Sequence, residues 1–368
     1  MYRLPLAQSW GDQTHRIDHI ELVVVDITAD TGESGTGFSY SVGVGGRAIA
    51  ALLEWYVAPK LIGTTVAPRV QWHHMWRELH DAGGGGLSTM AIAACDIAFW
   101  DLIGKSRGQS LVELLGRFRE SVPAYGSGVN LNLTAAELEE QVRRWIDAGY
   151  RGVKVKVGKP DRQEDLDRLA MVRRLIGKDR QLMIDANQGW DLAAATQAIN
   201  AFEAVGLHWV EEPLLSDDIQ GHARLRRQVR TPLAIGENVY TVFQFNEYLA
   251  QGACDFVQAD PVRVGGISPW LEIASLAATW GTPMAPHFVL ELSGQLLCCI
   301  PNAHVLEDVE GGSFGELGIL AEAIDVNEGR FTPPSRPGHG IIFDRERLGA
   351  HRAPAEPPAT AERLWQAV

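Results

Sequence analysis

The chain has 368 residues, 46% of them hydrophobic, with 46 acidic and 33 basic side chains and a formal net charge of −13. That length buries a large core and suits one big domain with a smaller companion. The acidic balance argues against nucleic acid as a partner. No stretch approaches 18 uncharged apolar residues, and the N-terminus, MYRLPLAQSWGDQTHR, lacks an apolar signal-like run, so a cytoplasmic protein without a membrane partner is expected.

In chain order, residues 19–29 (HIELVVVDITA) predict a strand rich in branched residues, with 35–40 as its hairpin partner. The first strand of this sheet should be short or missing before Pro5. From Arg47 the apolar spacing turns helical through Ala51, Leu52 and Trp55. Gly83–Gly86 is a four-glycine run that no GK[ST] follows, which excludes a phosphate loop. Residues 89–104 (TMAIAACDIAFWDLIG) are apolar on most faces and predict a buried helix ended by Gly104. Cys95, Cys254, Cys298 and Cys299 form no CxxC pair and are expected as buried reduced thiols.

After Pro123 short apolar runs alternate with amphipathic segments. The runs are 152–157, 181–186, 207–210, 232–235, 255–258, 282–285 and 303–306. Such alternation means a parallel sheet; about seven or eight units favour a closed barrel over an open doubly wound sheet. No GxGxxG opens the first unit, which weakens a dinucleotide-binding reading. The expected architecture is α/β, a modified (β/α)7β barrel with an α+β capping domain. Residues 1–119 form the cap, 120–312 the barrel, and 313–368 a segment that packs back on the cap.

The ends of the apolar runs carry the chemistry. Lys154 and Lys156 lie in GVKVKVG, Asp185 and Asn187 in LMIDANQ, Glu211 and Glu212 in HWVEEP, and Glu237 in PLAIGEN. Asp260, His287 and Glu307 follow in FVQADPVR, PMAPHF and HVLED. From Lys156 to Glu307 the steps are 29, 26, 26, 23, 27 and 20 residues, each about one strand–helix unit. A lone carboxylate after a strand is usually a cap or a loop residue; seven polar positions in phase face one barrel mouth. Asp185, Glu211 and Glu237 would repel one another without a cation, and all-oxygen ligation selects a hard ion, magnesium first. Lys154 and Lys156, two apart on a strand, share a face, and burial beside a cation would lower a lysine's pKa into the range of a general base. Asp260 behind His287 would fix its tautomer, and Glu307, if protonated, could donate a hydrogen bond to a developing enolate.

The ordered set KxK, DxN, EEP, GEN, D…RVGG, H and E resembles the enolase superfamily, in its mandelate racemase subgroup, over nearly the whole chain. Shorter stretches (GFSYS, DIAFWD, MIDANQGWD, QGHA, APHF) are similar to the acid-sugar dehydratases, L-talarate/galactarate dehydratases above all. The resemblance implies Mg2+ on Asp185, Glu211 and Glu237. It implies Lys156 as base on one substrate face with Lys154 at the carboxylate, a His287–Asp260 dyad on the other face, and Glu307 on the substrate carboxylate. Substrate contacts are expected from Asn187, Tyr40, Ser41 and Arg47. The implied reaction is dehydration of a sugar acid to a 2-keto acid; racemisation, epimerisation or lactone cycloisomerisation by the same two bases is the alternative. A homo-oligomer, commonly an octamer, is implied as well. Val42 and Gly43 stand where that family can carry basic residues, a departure that bears on a distal second carboxylate.

Overall fold

The computed structural model describes residues 1–354; the last part of the expected C-terminal segment, 355–368, lies outside the described residues. Three antiparallel strands open the chain: β1 (Tyr2–Gly11), β2 (Arg16–Thr28) and β3 (Ser34–Val42). The first strand is therefore not missing. It is ten residues long, with a register shift between Pro5 and Trp10 that disguises it in the sequence.

Helix Leu87–Arg107 lies on this sheet. Two glycines permit the contact. A Cβ at Gly35 would come within 2.1 Å of the Ala98 carbonyl oxygen, and one at Gly37 within 2.0 Å of that of Ala94. The helix is buried on nearly every face because its other side meets the barrel. There Asp96 accepts from the Ser268 amide (2.9 Å) and hydroxyl (2.6 Å), and Trp100 donates to Ser268. By length and apolar content this helix passes as a membrane span, yet 83% of the relevant window is buried inside the protein. Gly104 does not end it. The helix continues to Arg107 and is capped by left-handed Gly108. Gly104 is glycine because a Cβ there would lie 2.7 Å from the Cα of Gly338, where the C-terminal segment crosses. Beyond Gly46–Leu52 the helical path takes a π-turn over Leu53–Val57 that buries Leu53 and Val57 and leaves Trp55 75% exposed.

The barrel is (β/α)7β. Its strands are β4 (Val122–Ser127), β5 (Gly152–Lys156), β6 (Gln181–Asp185), β7 (Trp209–Glu211), β8 (Leu233–Ile235) and β9 (Phe256–Val257), all parallel, with a helix between successive strands. The seventh strand is reduced to Met284, which bridges Val257 and Ala303. The eighth, β10 (Leu306–Val309), pairs with β4 and closes the ring. β4 has no counterpart among the predicted apolar runs, since VPAYGS carries Pro, Gly and Ser in place of branched residues. A short hairpin, β11 (Val326–Asn327) and β12 (Arg330–Phe331), adds antiparallel to β4. All four cysteines are free and buried.

Strand alternation sorts the barrel interior into layers. Tyr125, Met183, Trp209, Phe256, Ala285 and Val305 form an apolar plug. Two residues further along each strand stand Ser127, Asp185, Glu211, Gln258, His287 and Glu307. The same period that seals the bottom with apolar side chains thus delivers polar ones to the mouth. The flanking Val153 and Val155 are at most 2% exposed and face the helix layer.

Candidate active site

Asp185, Glu211 and Glu237 converge: one carboxylate oxygen of each lies within 4.8 Å of the others. Asp185 and Glu211 end their strands. Glu237 is one residue out of phase. The inward position on its strand falls to Gly236, whose missing side chain lets the backbone at Gln258 pass where a Cβ would come within 2.5 Å. The donor set is entirely oxygen, mostly buried, and sized for one hard divalent cation.

Cationic side chains stand against the triad. Lys154, 1% exposed, reaches Glu211 at 2.5 Å, Glu307 at 2.6 Å and Asp185 at 3.8 Å. Lys156 meets Asp185 at 2.5 Å. Burial alone would lower both ammonium pKa values. The carboxylates overrule it, Glu211 and Glu307 for Lys154 and Asp185 for Lys156, and both are raised. The expected lowering of the lysine is therefore absent while these carboxylates keep their full charge. Burial, followed by neighbouring Asp185, Glu307 and Glu237, pushes Glu211 up to about 7 in spite of Lys154.

At the other end of the triad His287 Nε2 lies 3.4 Å from Glu237, and its Nδ1 is 2.9 Å from Asp260 Oδ2. Asp260 Oδ1 accepts the amides of Val262 and Arg263 at 2.8 and 3.1 Å. Burial lowers the imidazole pKa; Glu237 and the Asp260 hydrogen bond outweigh it, and the net direction is up. Tyr40 donates its hydroxyl to Asp260 Oδ2 from the cap. It is fully buried and does not line the cavity, so it holds the carboxylate behind His287 where a substrate contact was expected. Arg47 is also off the cavity: it is exposed and its guanidinium donates to the carbonyl of Pro354. Ser41 and Asn187 do line it.

Glu307 is an acceptor throughout. Ser127 Oγ donates at 2.7 Å to Oε1, the Phe288 amide at 2.9 Å to Oε2, and Lys154 to Oε1. Burial would raise its pKa, but Lys154 and His287 hold it well below the usual carboxylate range. A protonated, donating Glu307 is not what this arrangement supports. The Phe288 amide is aimed by a strained turn, with Phe288 at φ 53° and β-branched Val289 at φ 44°. Asn187, Gln188 and Glu212, all beside the triad, have positive φ too.

Four participants escaped the sequence reading. Gln258 donates to Glu211 at 2.7 Å; Asn238 bridges Glu212 and Glu237; Arg263 donates to Asn238 at 2.6 Å; Ser127 supports Glu307. Gln258 and Ser127 had a signal, two residues past an inward apolar position. Asn238 and Arg263 sit in turns, where no period applies.

The cavity over these groups measures about 390 Å³. Lys154, Lys156, Glu237, His287 and Glu307 form its floor, and the cap supplies the roof.

Residues 8–116 match the mandelate racemase / muconate lactonizing enzyme N-terminal domain, and residues 137–347 match the enolase C-terminal domain-like family. The chain is 36% identical to a 3,6-anhydro-alpha-L-galactonate cycloisomerase of Streptomyces coelicolor, over 95% of this chain and 96% of that protein. It is also 36% identical to an L-talarate/galactarate dehydratase of Salmonella typhimurium, over 93% of this chain and 87% of that one. Among solved structures, a racemase from Streptomyces coelicolor with bound magnesium superposes with a TM-score of 0.92 at 35% identity, covering 96% of this chain and 98% of that one. An L-talarate dehydratase from Polaromonas in complex with Mg and L-glucarate gives 0.89 at 36%, covering 96% and 95%. Magnesium, present in both structures, is the cofactor that the all-oxygen triad fits.

Proposed function

Because the chain belongs to the enolase superfamily, in its mandelate racemase subgroup, and uses magnesium, we propose that it dehydrates a sugar acid, removing the proton α to the carboxylate and eliminating the β-hydroxyl. The observation that carries this reading is that two base-capable side chains flank the triad, Lys156 at its Asp185 end and His287 at its Glu237 end, and both face the cavity.

An α-proton beside a carboxylate is weakly acidic, because its removal puts a second negative charge on the group. Asp185, Glu211 and Glu237 would hold Mg2+, which when bound takes up carboxylate charge and stabilises the second negative charge electrostatically. Lys154, buried and donating, adds a fixed positive charge at the same place. Asp185 holds the Lys156 ammonium pKa up; with that carboxylate's charge taken up by a bound cation, Lys156 would lose its proton and accept the α-proton at Nζ, and the C–H electron pair enters the enediolate. The Cβ–O bond then breaks, its electron pair leaving on oxygen. Nε2 of the His287 imidazolium protonates that oxygen and water departs. The enol tautomerises to a 2-keto acid. Asp260, braced by Tyr40 and two backbone amides, keeps Nδ1 as the donor and so Nε2 as the working nitrogen. Ser41 and Asn187 are placed to contact the substrate from the rim.

A second reading is kept for a specific reason: the cycloisomerase relative is matched over 96% of its own length at the same identity as the dehydratase. The same two groups would then return or relay the proton with no loss of water. The deciding experiment incubates enzyme, Mg2+ and a library of sugar acids in deuterium oxide. A product lighter by one water, after allowing for one carbon-bound deuterium, that reacts with a carbonyl reagent supports dehydration. A product of unchanged formula supports an isomerase. Absence of both α-deuterium and turnover across the library rejects proton abstraction altogether.

A further inference from the structure

The cavity is electrostatically lopsided. Its basic side chains on the barrel side are all engaged. Lys154 and Lys156 pair with carboxylates, Arg263 donates to the Glu237 carbonyl (3.0 Å) and to Asn238, and His287 is tied to Asp260. They surround the place where one carboxylate and its α-carbon react.

The cap side is different. Trp10, Ile17, Val42, Val44, Leu87 and Met90 give it an apolar wall, and its polar groups come mainly from one short loop between β1 and β2. Asp12 organises that loop: its Oδ1 accepts from Thr14 N (2.6 Å), Thr14 Oγ1 (2.9 Å) and His15 N (2.7 Å). Gln13 pins the loop to the barrel by donating to the Gly189 carbonyl at 3.2 Å. Its head fits only because Gly158 and Gly189 lack side chains, since a Cβ there would lie 2.3 and 1.8 Å from its Oε1. Asp12 and Thr14 are thus held in place over the mouth. The imidazole on this side, His15, lies 3.7 Å from Asp12 and 2.6 Å from Thr14 Oγ1, so a carboxylate already faces it. Behind the wall, Ser41 donates to a second carboxylate, Glu21.

We infer that the substrate is a monocarboxylate, a polyhydroxylated acid whose far end is an uncharged hydroxyl carbon and not a second carboxylate. This rests on the proton-abstraction reading above. A distal carboxylate would meet Asp12, and among the described residues lining this side no lysine or arginine offsets it. A distal hydroxyl instead finds Asp12 Oδ2 as acceptor and Thr14 and Ser41 as hydroxyl partners, and its carbon chain lies along the apolar wall. A neutral polyol tail uses Asp12, Thr14 and Ser41; a dianion leaves its second charge facing Asp12 without a lysine or arginine among the described residues lining this side.

The test uses matched pairs of six-carbon acids of identical configuration, each pair differing only at C6, as CH2OH (an aldonate) or CO2− (an aldarate). Wild-type enzyme with Mg2+ in deuterium oxide is followed by proton NMR for α-exchange and by 2-keto acid or isomer formation. The aldonate is expected to exceed its aldarate at least tenfold in kcat/KM. Val44→Lys, at a rim position 80% exposed, places a cation on the wall, and Asp12→Asn removes the negative charge while keeping the turn's acceptor. Each should narrow the ratio about tenfold. An aldarate that matches or beats its aldonate in the wild type overturns the inference, as does a ratio unmoved by both variants. Loss of exchange with every acid is a separate result: it sinks the proton-abstraction reading, and this inference with it.

Discussion

Lys154 is the most exacting place to test the electrostatics of the site. It is 1% exposed and lies 2.5, 2.6 and 3.8 Å from Glu211, Glu307 and Asp185. Replacing it by methionine preserves most of the volume and removes the charge, so packing loss is small. Three buried carboxylates are then left facing one another. Removing one partner of a buried pair generally costs about 3–5 kcal/mol. At an unfolding entropy of about 2.1 cal/mol/K per residue, a chain of 368 residues loses about 0.8 kcal/mol per degree near its midpoint. Lys154→Met should therefore melt about 4–6 °C below wild type in a chelator. Saturating Mg2+ binds the folded protein alone and, at 100 times its Kd, adds about 2.7 kcal/mol. It should help the variant more than the wild type, because the variant's triad is more negative. The expected result in differential scanning fluorimetry is a gap that shrinks by about half when Mg2+ replaces the chelator. A gap of the same size in both conditions, or a variant as stable as wild type in chelator, would refute the reasoning.

Lys156→Ala and His287→Asn should each reduce turnover of at least one epimer by about 10²–10⁴-fold, the usual contribution of a positioned proton-transfer group, with circular dichroism unchanged; full activity in either variant refutes the two-base reading. Tyr40→Phe takes a donor from Asp260. The carboxylate becomes more basic and favours the imidazolium more, so the alkaline limb of the kcat/KM profile, set by loss of the His287 proton, should move to higher pH; an unmoved limb with lowered Tm would mean that Tyr40 is purely structural. Glu291, fully buried, is pushed up to about 8 by burial, and its Oε2 has no hydrogen-bond partner among the described residues. Its folded pKa lies above the unfolded value near 4.5, so the native state holds the proton more tightly and stability falls as pH rises from about 4.5 to 8. Glu291→Gln should flatten that part of the stability curve in urea titrations, and an unchanged slope refutes the assignment.

What could be read from residue order was governed by period. Strands repeat every two residues and strand–helix units every 20 to 30, so the triad, Lys154, Lys156, Asp260, His287 and Glu307 all fell on the ends of apolar runs. The barrel and its magnesium chemistry were legible for that reason. Where period fails, so did the reading. β1 hides behind a register shift, β4 holds a single branched residue, Val122, and the long helix passes Gly104 because the reason for that glycine is Gly338, 234 positions away. Tyr40 and Arg47 were expected at the substrate from the family resemblance, yet only the pairing of β2 with β3 and the docking of the cap decide which side chains face the cavity. The protonation of Glu307 and of the lysines was equally out of reach, since it follows from distances between strands far apart in sequence. The sequence alone determines that carboxylates and bases gather at one mouth. The tertiary structure alone decides how their charges are balanced, and that the roof above them carries negative charge and apolar surface, because those are sums over neighbours that only the closed barrel and its docked cap bring together.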